Sequence, residues 1–159
     1  MVRVRSLIRL GLVVHALIAL ALGGASTHLA LVTFALATGR PKRWRVPRLA
    51  AVYARVTGTL FLISVVAGGV LYPTYRYQVR GLYLDRYAAW ASNLFDMKEV
   101  LAALVAPLAF GLIVFGRRPL DEASPPEARL ILHLCVAAVF GTTVFNVISG
   151  LVIVSIRSI

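Results

Sequence analysis

The sequence predicts an all-α polytopic membrane protein, an up-down bundle of four transmembrane helices, on three observations. Of 159 residues 60% are apolar, only 23 are charged and the mean hydropathy is +0.85. The charges leave four long gaps: 30 residues between Arg9 and Arg40, 20 between Arg55 and Arg76, 17 between Glu99 and Arg117, and 27 between Arg129 and Arg157. A bilayer core takes about 20 apolar helical residues, so each gap is long enough to span. None of the four shows the alternation of polar and apolar residues that marks a strand. Too few charges remain to coat a soluble globule, which excludes a soluble enzyme, a disordered chain and a disulfide scaffold. The net charge of +11 and a pI near 11.1 then point to anionic lipid headgroups, not to nucleic acid.

A single four-helix domain over 1–159 follows, with spans at about 10–38, 47–73, 93–115 and 125–155. Span 1 ends where Gly39 and Pro41 supply a stop. Its MVRVRSLIR start and the small residues Gly23 to Ser26 have the look of a secretory signal, but the apolar run resumes at Leu29, which favours an uncleaved span. Span 2 opens near Pro47, a favoured first-turn residue, and its apolar stretch closes at Leu71-Tyr72-Pro73. Span 3 takes Ser92 or Asn93 as its cap, meets a kink at Pro107, and stops at Gly116. Span 4 has the clearest start, because Ser124-Pro125-Pro126-Glu127 forms a capping box with proline at the first helical position. Close approach of the helices is expected at Gly23 to Ser26, at Ala67, Gly68 and Gly69, and at Gly141 and Gly150. Cys135 has no partner in the chain.

The connection after span 2 is unlike the others. Val79, Leu82, Tyr83, Tyr87 and Trp90 recur at three- and four-residue spacing, which predicts a short interfacial helix with an aromatic belt; a lid over a site is the sharper reading. Positive residues divide almost equally between the two sides. The stretch GRPKRWRVPR is the densest basic cluster, so the loop 39–48 is assigned to the cytoplasm.

Ionisable residues inside spans are costly and are functional candidates by default. His28 lies about 15 Å from the end of span 1 and His133 about 12 Å from the start of span 4, on the same side of an up-down bundle. Arg55 lies on that side too. Two imidazoles at one depth, with an arginine for a propionate, could bind haem b, His28 and His133 supplying the iron ligands; structural hydrogen bonding and snorkelling explain the same residues. His15, Asp96, Lys98 and Glu99 form a second polar cluster, on the side of Tyr72 and Tyr75. Acids in a first helical turn are favoured by the macrodipole, and a proton relay or quinone-headgroup site is the functional alternative. No zinc spacing and no HExxH, GxSxG, Walker A or GxGxxG motif is present.

The residues Tyr72-Pro73-Thr74-Tyr75-Arg76, Tyr83-Leu84-Asp85 and Leu94-Phe95-Asp96-Met97-Lys98-Glu99, in a stretch that is about a fifth of the chain, resemble a family of uncharacterised bacterial four-helix inner-membrane proteins. That family brings no established activity. His15 in span 1 and Lys98 opening span 3 are also similar to the HemJ-type and copper-resistance-D-type membrane proteins, which implies haem, porphyrin or copper chemistry; the Met- or His-rich copper motif is missing. The expectation is a multi-pass protein of a bacterial inner membrane, an accessory or assembly subunit without its own catalysis. It would contact lipid and either partner proteins or further copies of itself. A haem b-binding electron-transfer or quinone-linked protein is the first alternative and a small proton-coupled transporter the second.

Overall fold

A computed structural model describes residues 2–38, 45–119 and 124–156, and these are almost entirely helical, with no strand among them. Helix α1 covers Val2–Ala37, α2 Arg45–Tyr75, α4 Ala89–Phe115 and α5 Pro126–Ile156, with a single turn, α3, at Asp85–Tyr87. Four apolar helices, over Ser6–Ala37, Val46–Tyr87, Ala89–Phe115 and Pro126–Ile156, are long enough to cross a bilayer. The chain is a multi-pass membrane protein with its outer surface apolar: Val70 and Leu20 are 75% and 69% exposed, values suited to lipid and not to water.

The helices form a ring in which α1 touches α2 and α5, and α4 touches α2 and α5. All neighbours run antiparallel. On α1 and α2, His15 meets Gly68 while His28 meets Tyr53. On α4 and α5, Lys98 meets Gly150 while Gly111 meets Cys135. One apolar core joins all four helices through Leu29, Ala54, Phe61, Leu112, Leu132 and Val139. A second, at the other end, comprises Val79, Leu84, Ala88, Ala91, Phe95 and Ile153 and contains no residue of α1.

The tightest contact is between α2 and α4. A Cβ on Gly58 would lie 2.4 Å from the Ala109 carbonyl oxygen, and one on Gly116 would lie 2.6 Å from the carbonyl of Ala51. The two glycines are seven residues from Ala51 and Ala109 on their own helices, so backbone meets backbone twice along one seam. Gly116 was expected as a helix stop. It does end α4, but with φ −69°, a conformation open to any residue; the glycine is required by the approach of Ala51 and Arg55. Several expected contact glycines lie elsewhere: around Gly23, Gly24, Gly69 and Gly141 an added Cβ meets nothing within 4 Å.

The expected boundaries move in three places. Helix α1 begins at Val2 and takes in the basic N-terminal stretch, while Gly39, Pro41 and the assigned cytoplasmic segment as far as Trp44 lie outside the described residues. Helix α5 begins at Pro126, where the amide of Arg129 bonds the carbonyl of Pro125 at 3.2 Å, one residue later than expected. Most consequential is the stretch after Pro73. The proline does not end α2, which runs on into a π-helix at Arg76–Leu84. Its i→i+5 bonding, seen where the Asp85 amide reaches the Arg80 carbonyl, brings residues five apart onto one face. Val79 and Leu84 are therefore the buried pair, while Leu82, Tyr87 and Trp90, assigned to the same apolar face by the α-helical period, stay 47%, 74% and 59% exposed. The expected interfacial helix is thus a continuation of α2.

The α2–α4 seam yields a direct test. Gly58→Ala should destabilise the protein by about 1–3 kcal/mol through overpacking against the Ala109 carbonyl. Gly141→Ala should be neutral or stabilising by up to about 1 kcal/mol. Thermal unfolding of both variants in detergent micelles reads the difference.

Candidate functional site

The start of α4 decides the environment of the polar cluster. With Ala89 as the first helical residue, Asp96 falls in the second turn and Lys98 and Glu99 in the third. The helix has no acid in its first turn, so the macrodipole does not account for Asp96 and Glu99. Ser92 and Asn93, expected as caps, lie inside the helix; the Ser92 hydroxyl donates to the Asp85 carboxylate. Lys98 lies about 13 Å along α4 from Ala89.

Four residues, one from each spanning helix, share a layer at this depth. The His15 ring of α1 sits in the notch left by Gly68 of α2, its Cε1 3.6 Å from where a Cβ would stand. The Lys98 ammonium of α4 sits in the notch left by Gly150 of α5, at 3.7 Å from the equivalent point. His15 and Lys98 lie within electrostatic reach of each other, and Glu99 lies within reach of Asp96, Lys98, Arg80 and Arg76. The structure therefore brings His15, Asp96, Lys98 and Glu99 to one end of the bundle. Lys98 also lies 6.0 Å from the centre of the Phe95 ring, onto which Tyr75 stacks at 4.6 Å. Two polar atoms of this region, His15 Nδ1 and the Tyr75 hydroxyl, are buried without a hydrogen-bond partner.

Arg80 links the π-helix to α4. Its guanidinium grips Asp96 with both terminal nitrogens, the second at 2.9 Å, and its Nε lies 3.6 Å from Asp85. This planar fork on a carboxylate is the geometry for which arginine is suited. Arg76 donates to the Tyr72 hydroxyl at 3.2 Å and lies over the same ring. The sequence reading did not include Arg80. The signal was present as an arginine and an aspartate in flanking segments, but their pairing needs the i→i+5 winding that turns Arg80 inward.

His28 and His133 occupy different flanks of α1. His28 is exposed on the α2 flank, its ring stacked on Tyr53 at 4.3 Å. His133 is on the α5 flank, with Nδ1 2.6 Å from the Arg129 carbonyl and Nε2 3.1 Å from the Thr33 carbonyl. Both nitrogens of His133 face backbone carbonyl oxygens, so neither points into open space where an iron could stand. The structure thus places the two imidazoles on different flanks of α1, with Arg55 packed on Gly116 at the end of α4. Arg55 runs its stem against Gly116 and borders a shallow outward groove with Val52, Val56, Thr59 and Leu60, the placement of a snorkelling arginine. Among the described residues no group of three or more His, Cys, Asp and Glu side chains could hold a metal ion.

Asp96→Asn should release the π-helix from α4 at a cost of about 1 kcal/mol, since the pair is partly exposed. Hydrogen exchange should accelerate at the amides of Val79 to Leu84 and remain unchanged at the α2–α4 seam. Equal protection in wild type and variant would show that Arg80 does not anchor the segment. Comparison with protein-family models, curated proteins and solved structures finds no match to the chain.

Proposed function

We propose that the chain is an accessory or assembly subunit of a bacterial inner-membrane complex, without catalysis of its own, holding a partner's transmembrane helix on the outer face of α1. The observation that carries this reading is His28. It lies about 14 Å inside the end of α1, exposed on the outside of the bundle, where lipid solvates an imidazole poorly. Gly24, one turn away, is also exposed and has open space where a Cβ would stand. A small residue beside a polar one is the pattern by which a second helix approaches closely and offers a hydrogen-bonding group. The ring of Tyr53 covers one side of the imidazole and leaves the rest to that partner.

A photo-crosslinking residue at Gly24, in native membranes, should trap a stoichiometric partner that also co-purifies in mild detergent. Gly24→Leu should weaken co-purification about tenfold, equivalent to about 1.4 kcal/mol, with the melting temperature of the isolated chain unchanged. A monodisperse lone monomer with no crosslink at this position would sink the reading.

A further inference from the structure

The layer formed by His15 and Lys98 holds polar groups without partners, among them one acceptor, Asn146 Oδ1, a turn from Gly150 on α5. Among the described residues no carboxylate lies within ion-pair distance of the Lys98 ammonium. Asp96 and Asp85 are engaged by Arg80, and Glu99, next along the helix, projects about 100° away around it. His15 Nδ1 and the Tyr75 hydroxyl, both able to donate, are buried and unpartnered. Lys98 and Tyr75 are held on the same ring, Phe95, and the notches at Gly68 and Gly150 admit the His15 ring and the Lys98 ammonium. A half-buried ammonium whose nearest carboxylate, Glu99, lies beyond ion-pair distance is costly, and unpaired donors in hydrocarbon add to that cost.

Helix α1 is the least buried wall of the layer. Helix α1 buries Leu22, Ala25, Ser26, Leu29 and Thr33 but nothing between Ser6 and Ala21, the stretch that carries His15. The apolar core at this end includes Ile153 of α5 and no residue of α1, whereas the far end ties α1 to α5 where Thr33 meets His133. The bundle is therefore joined at one end and loosely closed between α1 and α5 at the other. We propose that the layer binds the anionic oxygen head, a carboxylate or a phosphate, of a molecule that enters between α1 and α5. Lys98 supplies the counter-charge, and His15 and Tyr75 donate hydrogen bonds. The π-helix, pinned by Arg80 to Asp96, closes the end of the site next to the headgroups. This binding is independent of any partner on the outer face of α1.

The test uses the purified full chain in a neutral detergent, titrated separately with phosphatidylglycerol, oleate, phosphatidylcholine and inorganic phosphate. Melting temperature and native mass spectrometry are the readouts. An anionic amphiphile should raise the melting temperature and remain bound at one equivalent, and phosphatidylcholine should do neither. Lys98→Met and His15→Leu should weaken binding about tenfold or more, while Arg86→Gln, on the exposed rim, retains it. Lys98→Met removes a half-buried charge, so a folded variant is expected, and His15→Leu gives a second reading without altering the ammonium. A shift with phosphatidylglycerol or oleate but not with inorganic phosphate identifies a lipid source; an equal shift with inorganic phosphate identifies a free anion. No shift with any anion, equal shifts with phosphatidylglycerol and phosphatidylcholine, or undiminished binding in both variants overturns the proposal.

Discussion

The approach of α2 to α4 at Gly58 and Gly116 sets the register on which the rest of the molecule depends. In a bilayer apolar side chains gain little by leaving lipid for one another, so helices associate through close packing and interhelical hydrogen bonds. Here carbonyls of Ala51 and Ala109 occupy the volume that a Cβ on the facing glycine would take. Two such contacts, one heptad apart, leave no freedom to slide one helix along the other. With that seam in place Gly68 of α2 falls level with Lys98 of α4. The α1–α2 and α4–α5 contacts then add His15 and Gly150 to the same layer.

The second determinant is the winding of the segment after Pro73. A proline removes one backbone bond and crowds the carbonyl four residues before it, and the helix can absorb this by changing pitch. The chain continues and rewinds with i→i+5 bonds. The rewinding buries Val79 and Leu84 against Phe95 and Ile153, and it turns Arg80 towards Asp96. One change of pitch thus supplies both the apolar closure of this end and its ion pair. It also moves the start of α4 back to Ala89, so that Lys98 and Glu99 lie in the third helical turn.

The two ends of the bundle consequently differ. Where Thr33 meets His133, all four helices share a core and several polar groups find backbone partners: the Thr33 hydroxyl bonds the Leu29 carbonyl at 2.9 Å, and the His133 ring lies between two carbonyls, while Thr57 Oγ1 and Arg129 Nε stay buried without a partner. At the π-helical end, α1 contributes nothing to the core and buried donors stay unpaired. The core shared by all four helices thus lies at the first end, while the second holds the Lys98 ammonium with no carboxylate at ion-pair distance among the described residues. That division is the physical basis for placing ligand chemistry near His15 and Lys98 and for reading His133 as a structural residue.

What the sequence determined by itself was whatever follows from length and local composition. Charge-free gaps long enough to span specify four helices, and Pro126 and Glu127 mark the start of α5 to within a residue, because the cost of unsatisfied backbone in hydrocarbon leaves few alternatives. Counting along those spans also put His15, Asp96, Lys98 and Glu99 at one end. The facing of side chains was beyond it. Depth is read from residue number, but azimuth depends on which helices touch, and so His28 and His133, matched in depth, lie on opposite flanks of α1. Gly58 and Gly116 could not be told from Gly24 and Gly141 by composition, since only a neighbouring carbonyl distinguishes a contact glycine from a lipid-facing one. The Arg80–Asp96 pair needed a helical period that no three- or four-residue pattern contains; only tertiary packing, by burying Val79 with Leu84, selected it.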